Sequence, residues 1–458
     1  MYIRLIPLCC LYCLSSGTFL YDILRTYRRS NTLSMKVCCQ SMYLLIEGIV
    51  PLIIFYAKMC YDKEYSNVFL IDYSIAGIDA LYVMWIFSLI GYFAITFACN
   101  TKNFIKLSIT NSHKIPNKYN DGLLLPSAII TLCIGVVSMH LWTRAFGGIE
   151  GFIMQANTIR SGRSNITNSY AFFKHTARCV IISSYALFII LRYKKQNRFV
   201  VSILWGISAA YSIMFLLCSD GRLTAGFYFL TYAIINVKIG NKKYNTKKII
   251  ISFISIIIII AFMMKMDDIT YYIRSGVWNN VSAENEISTS FIGELMYIYN
   301  SEQFAIMNHK VISLQIINDL GYGLFAWLPT KFTPSAFLRI WQVNTNLINR
   351  LSTGEIPFGI IAQGYYDLRI FGVFILPYIY GRIIKRIDLI NTSNTFENII
   401  FSAFFSIMLR AIAYGMVYDF VLGTLNIFIF YCIYKFMNIV FLKRRNFNDR
   451  KQIFEDFI

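Results

Sequence analysis

The chain predicts an all-α, polytopic membrane fold of about eleven transmembrane helices, and three observations predict it. Of its 458 residues, 57% are hydrophobic and 17% aromatic while only 15% are charged, which leaves too little polar surface to wrap a globule in water. Apolar stretches recur along the whole length, and lysine and arginine gather in alternate connections between them. The bilayer is the solvent for such a chain.

The first span covers residues 3 to 22; it holds Arg4 and no clear small-residue cleavage site, so it reads as a retained helix, not a removed signal peptide. The second covers 37 to 57 and is interrupted by Glu47. Tracts free of Asp, Glu, Lys and Arg then run from Ala80 to Thr101, Gly122 to Thr143, Phe199 to Ser219, Leu223 to Val237 and Ile249 to Met264. At about 1.5 Å per residue each nearly or fully crosses a hydrocarbon core of about 30 Å. Weaker stretches at 175 to 191, 356 to 381, 397 to 413 and 420 to 442 complete the set.

Orientation follows from the basic residues, because positively charged loops resist translocation. Arg25, Arg28, Arg29 and Lys36 mark the first connection; Lys102, Lys106, Lys114 and Lys118 the third; Arg192, Lys194, Lys195 and Arg198 the fifth; Lys238, Lys242, Lys243, Lys247 and Lys248 the seventh. Arg382, Lys385 and Arg386, then the tail from Lys443 to Lys451, continue the alternation. Odd connections and the C-terminus are therefore expected in the cytoplasm. The formal charge of +19 is mostly this topological bias, and no folded basic domain displays it to a nucleic acid. The other face then carries the loops 143 to 174 and 265 to 355, within a single membrane domain spanning 1 to 458. The longer loop is near charge balance, with six basic and eight acidic residues.

No cofactor is expected. The eleven cysteines lie in or beside apolar stretches, and the four histidines (His113, His140, His175, His309) show no ligand spacing with one another or with cysteine. A Gly-rich phosphate loop ending in lysine is also absent, which argues against an ATP-driven pump.

Ionisable residues placed where lipid should be are costly unless they meet a partner or a wet cavity. Glu47 in the second span, Asp367 and Arg369 in the ninth, and Arg410 in the tenth are such residues. Arg369 and Arg410 each fall roughly 18 Å from the cytoplasmic side at about 1.5 Å per residue. One reading pairs Glu47 or Asp367 with one of these arginines to fix helix packing; the other makes them a cationic groove with Arg222 at its mouth. In the loop from Arg144 to Lys174, Arg160 and Arg163 flank a Ser-Gly pair among Asn157, Asn165 and Asn168. Planar guanidinium forks suit phosphate oxygens, so converging arginines suit a lipid diphosphate; the plainer reading leaves them at the headgroup surface.

The Ser219–Asp220–Gly221–Arg222 turn opening a helix, the late loop with Trp327-Leu328-Pro329-Thr330-Lys331-Phe332, and the stretch Glu355 to Gly381 with Tyr365, Asp367 and Gly372 together resemble the O-antigen polymerases and related oligosaccharide repeat-unit polymerases. The chain departs from their pattern at Arg369, where a small residue such as glycine is expected, and at Gln363, where an acid is common. The resemblance implies a membrane glycosyltransferase C-like fold in a bacterial inner membrane, with its active site facing the periplasm. It implies polymerisation of undecaprenyl-diphosphate-linked repeat units into O-antigen or capsular polysaccharide, by inverting transfer from a lipid-diphosphate donor to a hydroxyl of a lipid-linked acceptor. A chain-length regulator protein is the implied partner, beside membrane lipids.

On that reading Arg222, Arg160 and Arg163, with Arg369 and Arg410, hold the diphosphate. His309 and Glu294 are the candidates for the base that takes the acceptor proton, since it must be a His or carboxylate on the outer side. Tyr297, Tyr299, Trp327 and Trp341 either stack on sugar rings or form an interfacial belt with the loop lying flat on the membrane, and on the same grounds Lys331 and Arg339 are placed to touch lipid phosphates. Two rivals share these features: a flippase for the lipid-linked unit, and the ligase that transfers finished glycan to lipid A core.

Overall fold

The computed structural model describes residues 2–30, 34–60, 71–101, 121–160, 170, 172–193, 197–239, 265, 272, 291–309, 313–325, 340–348, 356–390, 394–415 and 417–455. Among the described residues the chain is all-helical, with no strand. In order, the helices are α1 (Tyr2–Ser30), α2 (Met35–Leu44), α3 (Val50–Cys60), α4 (Ile75–Asn100), α5 (Leu124–Thr143), α6 (Ile149–Met154), α7 (Ala156–Arg160), α8 (Phe173–Ala177) and α9 (Cys179–Tyr193). They continue with α10 (Arg198–Ser219), α11 (Arg222–Ile239), α12 (Phe291–Met307), α13 (Ile316–Phe325), α14 (Ile340–Ile348), α15 (Gly359–Asp388), α16 (Thr395–Tyr414) and α17 (Val417–Glu455). One wide turn, Leu45–Ile49, joins α2 to α3 and carries Glu47.

Eight helices among the described residues are long and apolar enough to cross a membrane, and they coincide with eight of the predicted spans, from Arg4–Arg29 through Phe420–Phe441. Leu223–Val237 is apolar but shorter. The predicted span 249 to 264 lies outside the described residues, as does most of the long loop. Leu14, Tyr21, Phe93, Phe199 and Phe371 are all more than 60% exposed, an outward apolar surface that suits lipid and not water.

The helices enclose two apolar cores. One joins α1 to α4 with α12 and α15, the other joins α5, α9, α10 and α11 with α17, and α16 contributes to both through Phe401 and Phe405 on one side and Phe396 and Ile399 on the other. Glycine makes close approach possible: a Cβ on Gly381 of α15 would lie 2.7 Å from the Ile95 carbonyl of α4.

Basic residues of the first and ninth connections converge on the end of α4, where the third connection begins. Lys36 Nζ donates to Asn100 Oδ1 at 3.1 Å, Arg382 donates to Thr101 Oγ1 at 2.9 Å, and Lys385 donates to the Thr101 carbonyl. Asp388 accepts from the backbone of Met35 and Lys36 and so caps α2. Orphan helix-end groups are thus satisfied by charged side chains where the helices leave the apolar core.

The stretch 356 to 381, expected as one straight span, is instead a hairpin. Leu368 (φ −136°, ψ 19°) and Arg369 (φ 57°, ψ −137°) break α15, and Gly364 then packs on Gly372, eight residues later, closely enough that a Cβ on Gly372 would lie 1.8 Å from the Gly364 carbonyl oxygen. In an uninterrupted helix those positions are about 12 Å apart. The first arm, 359 to 367, therefore folds back on the second, 370 to 388. A continuous apolar window does not reveal such a reversal, because both arms are apolar.

Candidate functional site

The loop after α10 builds the site. Ser219 Oγ bonds back to the Phe215 carbonyl at 2.7 Å, the Asp220 and Gly221 amides both donate to the Leu216 carbonyl at 3.1 Å, and Gly221 adopts φ 98°. That left-handed conformation favours glycine. The tight turn leaves Asp220 pointing into the bundle, with its side chain only 3% exposed.

Two arginines from distant parts of the chain meet it there. Arg178, between α8 and α9, approaches Asp220 Oδ1 at 2.8 Å and Oδ2 at 3.1 Å; Arg410 of α16 approaches Oδ2 at 2.8 Å. Rings back both: Phe215 lies 5.8 Å from the Arg178 guanidinium and Tyr414 lies 5.7 Å from that of Arg410. Burial alone raises a carboxyl's proton affinity, but Arg178, then Arg410 and Lys174, outweigh it and hold the Asp220 carboxyl well below the usual carboxylate range. Two guanidiniums on one carboxylate leave a net positive charge in a desolvated place. The Arg178 Nε is also buried without a hydrogen-bond partner among the described residues.

This trio lines a cavity of about 70 Å³ between α9, α10, α11, α16 and α17. Thr224, Tyr228, Ser406 and Asn426 supply further polar atoms, while Ile181, Leu216, Ile407 and Ile427 make the rest of the wall apolar. Tyr228 is held by Ser184 at 3.0 Å and Tyr232 at 2.9 Å. A cationic end in an apolar chamber is a place for an amphiphile with an anionic head.

Of the sequence-predicted residues, Arg410 is part of this centre. Arg222 is the first residue of α11, two positions beyond Asp220, and Arg160 is the last of α7, which packs on α10; both are described by backbone alone. Arg163 lies outside the described residues, and so do Trp327, Lys331 and Arg339. Glu294 falls in the first turn of α12, again by backbone alone. Arg369 and His309 meet each other elsewhere: Arg369 donates to the His309 carbonyl at 2.9 Å and lies over the Tyr365 ring, while the exposed His309 ring turns its Nδ1 to the Ile306 carbonyl at 2.9 Å. Tyr299 is not a surface stacking platform, since it is 1% exposed and donates to Tyr12 at 2.9 Å. The reading in which Glu47 or Asp367 neutralises an arginine is also replaced. Glu47 accepts from Ser88 at 2.7 Å and shares a hydrogen bond with Glu302, Asp367 accepts from Gln363, and Asp220 is the carboxylate that pairs with Arg410.

Sequence reasoning missed Arg178 and undervalued Asp220. Arg178 sits where an apolar stretch begins, the ordinary place for a cation at a membrane surface, so nothing local marks it. Asp220 was visible in the Ser-Asp-Gly-Arg turn, whose acid needs a buried partner as soon as the turn is tight.

Comparison of the chain with family models, with curated proteins and with solved structures gave no match.

Proposed function

We propose that the protein polymerises undecaprenyl-diphosphate-linked oligosaccharide repeat units into O-antigen or capsular polysaccharide at the periplasmic face of a bacterial inner membrane. The observation that carries this reading is the pair Arg178 and Arg410, set on Asp220 at the end of an amphiphilic cavity. It supports a lipid diphosphate as ligand, and the sequence resemblance supplies the reaction.

In the mechanism proposed, a hydroxyl of the acceptor sugar attacks the anomeric carbon of the donor glycan. The bond to the diphosphate oxygen breaks with inversion, a base accepts the hydroxyl proton, and lipid diphosphate leaves carrying the bond's electron pair. Charge grows on that departing oxygen, and each arginine aimed at it supplies on the order of 3 kcal/mol of transition-state stabilisation. Asp220 keeps the two guanidiniums from repelling apart before substrate arrives. The topology proposed has eleven spans, with the basic end of the bundle in the cytoplasm and the loop 265 to 355 in the periplasm.

A deletion strain complemented with wild-type or Arg178→Ala protein tests the reading. Loss of a polymerase leaves surface lipopolysaccharide capped by a single repeat unit, and Arg178→Ala should reproduce that pattern at normal protein abundance. Complete absence of repeat units on the surface would point to a flippase, whose arginines also bind a diphosphate without a covalent step. Full-length polymer stranded on the lipid carrier would point to a ligase.

A further inference from the structure

In the Asp220 cavity the acceptors are engaged and donors are left over. Asp220 Oδ1 accepts from Arg178 and Ser219, and Oδ2 accepts from Arg178 and Arg410. Asn426 Oδ1 accepts from Cys179, and the Tyr228 hydroxyl is held between Ser184 and Tyr232. Arg178 and Thr224 both line the cavity, and Arg178 Nε and Thr224 Oγ1 are buried with no hydrogen-bond partner among the described residues. The guanidinium nitrogen can only donate. The threonine is unlike its neighbours. Ser212, Ser219 and Thr231 each turn the hydroxyl back to the carbonyl four residues earlier, at 2.7 Å, the ordinary way to satisfy a hydroxyl within a helix. Thr224 is 6% exposed and makes no such bond. It stands in the first turn of the 18-residue helix α11, where the helix dipole also favours an anion. A buried hydroxyl without a partner is costly unless a ligand takes it up.

We propose that the Thr224 hydroxyl is a third donor of the diphosphate site and hydrogen-bonds the oxygen that departs from the sugar. On the lipid-diphosphate reading of the cavity, on which this assignment rests, the phosphoryl group beside the sugar has two free oxygens while the sugar is attached. Two guanidiniums are there to meet them. When the bond to the anomeric carbon breaks, its electron pair stays on the bridging oxygen, which becomes a third free oxygen with new charge. Arg178, Arg410 and Thr224 come from the junction of α8 and α9, from α16 and from α11, so a phosphoryl group in the cavity meets donors from three separate elements. No proton moves to or from the threonine. Its hydroxyl supplies a charge-assisted hydrogen bond that is absent before the reaction, the kind of contact that raises the rate and not the ground-state affinity for the donor.

Inorganic pyrophosphate is the probe, because its phosphoryl groups carry three free oxygens as that of the leaving group does; it is titrated calorimetrically into full-length protein in detergent. Wild-type protein and Thr224→Ser, which keeps the hydroxyl, should bind it alike. Thr224→Val, nearly the same in shape, should bind it about tenfold or more weakly. Without ligand, Thr224→Val should melt no lower than wild type, since it sheds a buried hydroxyl that has no partner; a threonine with a merely structural role would show a lowered Tm. Wild-type affinity in Thr224→Val overturns the assignment, and so does a lowered Tm or a failure of that variant to fold. Arg178→Ala separates this failure from failure of the underlying reading. Pyrophosphate binding lost in Arg178→Ala but intact in Thr224→Val leaves the diphosphate site standing without Thr224, whereas no binding by wild type, or undiminished binding in Arg178→Ala, overturns both.

Discussion

At the scale of the residue, the Asp220 centre separates binding from stability. Asp220→Ala leaves two buried guanidiniums facing each other, and removing one side of such a cluster typically costs about 3–5 kcal/mol; denaturant unfolding of the purified protein should show a loss of that size. Arg410→Lys keeps the charge but not the planar fork, so long glycan chains should disappear while the unfolding midpoint moves little. The pH dependence has a definite sign. Asp220 has a folded-state pKa held below its ordinary value, so its contribution is fully present above the unfolded pKa of about 3.9 and is lost as pH falls toward the folded value. The stability gap between wild type and Asp220→Asn should therefore be flat from neutral pH to about pH 5 and narrow below about pH 4. A gap that narrows near neutrality would mean that another group controls it.

At the scale of the element, the hairpin in α15 depends on Gly364 and Gly372, each of whose Cβ atoms would strike the other's backbone. Alanine at either should lower stability by about 1–3 kcal/mol or prevent folding. The control is Gly323→Ala, which meets only Val417 Cγ1 at 3.8 Å and Val421 Cγ2 at 4.0 Å and should leave the midpoint unchanged. Arg369 sits at φ 57°, a conformation that costs a non-glycine residue about 1–3 kcal/mol. Arg369→Gly removes that strain and also the bond to His309, so a near-neutral effect on thermal unfolding is expected, with glycan length as the separate readout.

The same element shows what the sequence carried and what it did not. Charge-free tracts such as Gly122 to Thr143 were legible because hydrocarbon thickness fixes their length. The reversal at Leu368–Arg369 was not, since hydropathy is blind to direction, although the arginine in a position where a small residue is expected fell on the one left-handed backbone in the segment that glycine does not occupy. The site was half legible. Arg410 stood out as a cation inside an apolar helix, whereas Arg178 becomes notable only when folding carries it to Asp220, a pairing across 42 positions that no local pattern encodes.

At the scale of the whole molecule, convergence of Lys36, Arg382 and Lys385 around the end of α4 places three basic connections on one side. A fluorescent protein fused after Ile458 should mature and fluoresce, and an alkaline phosphatase fusion at the same point should stay inactive. The reverse result would invert the proposed orientation and move the Asp220 cavity to the cytoplasmic face.

The order of the three charged residues along the chain has a consequence for biogenesis. Arg178 and Asp220 emerge from the ribosome early and cancel each other, so the half-made protein enters the membrane with a neutral couple at that spot. Arg410 arrives nearly two hundred residues later, and only its docking converts the couple into a cation. A nascent chain thus carries no uncompensated charge at this place through most of its synthesis, and the net positive charge appears only as the last spans settle.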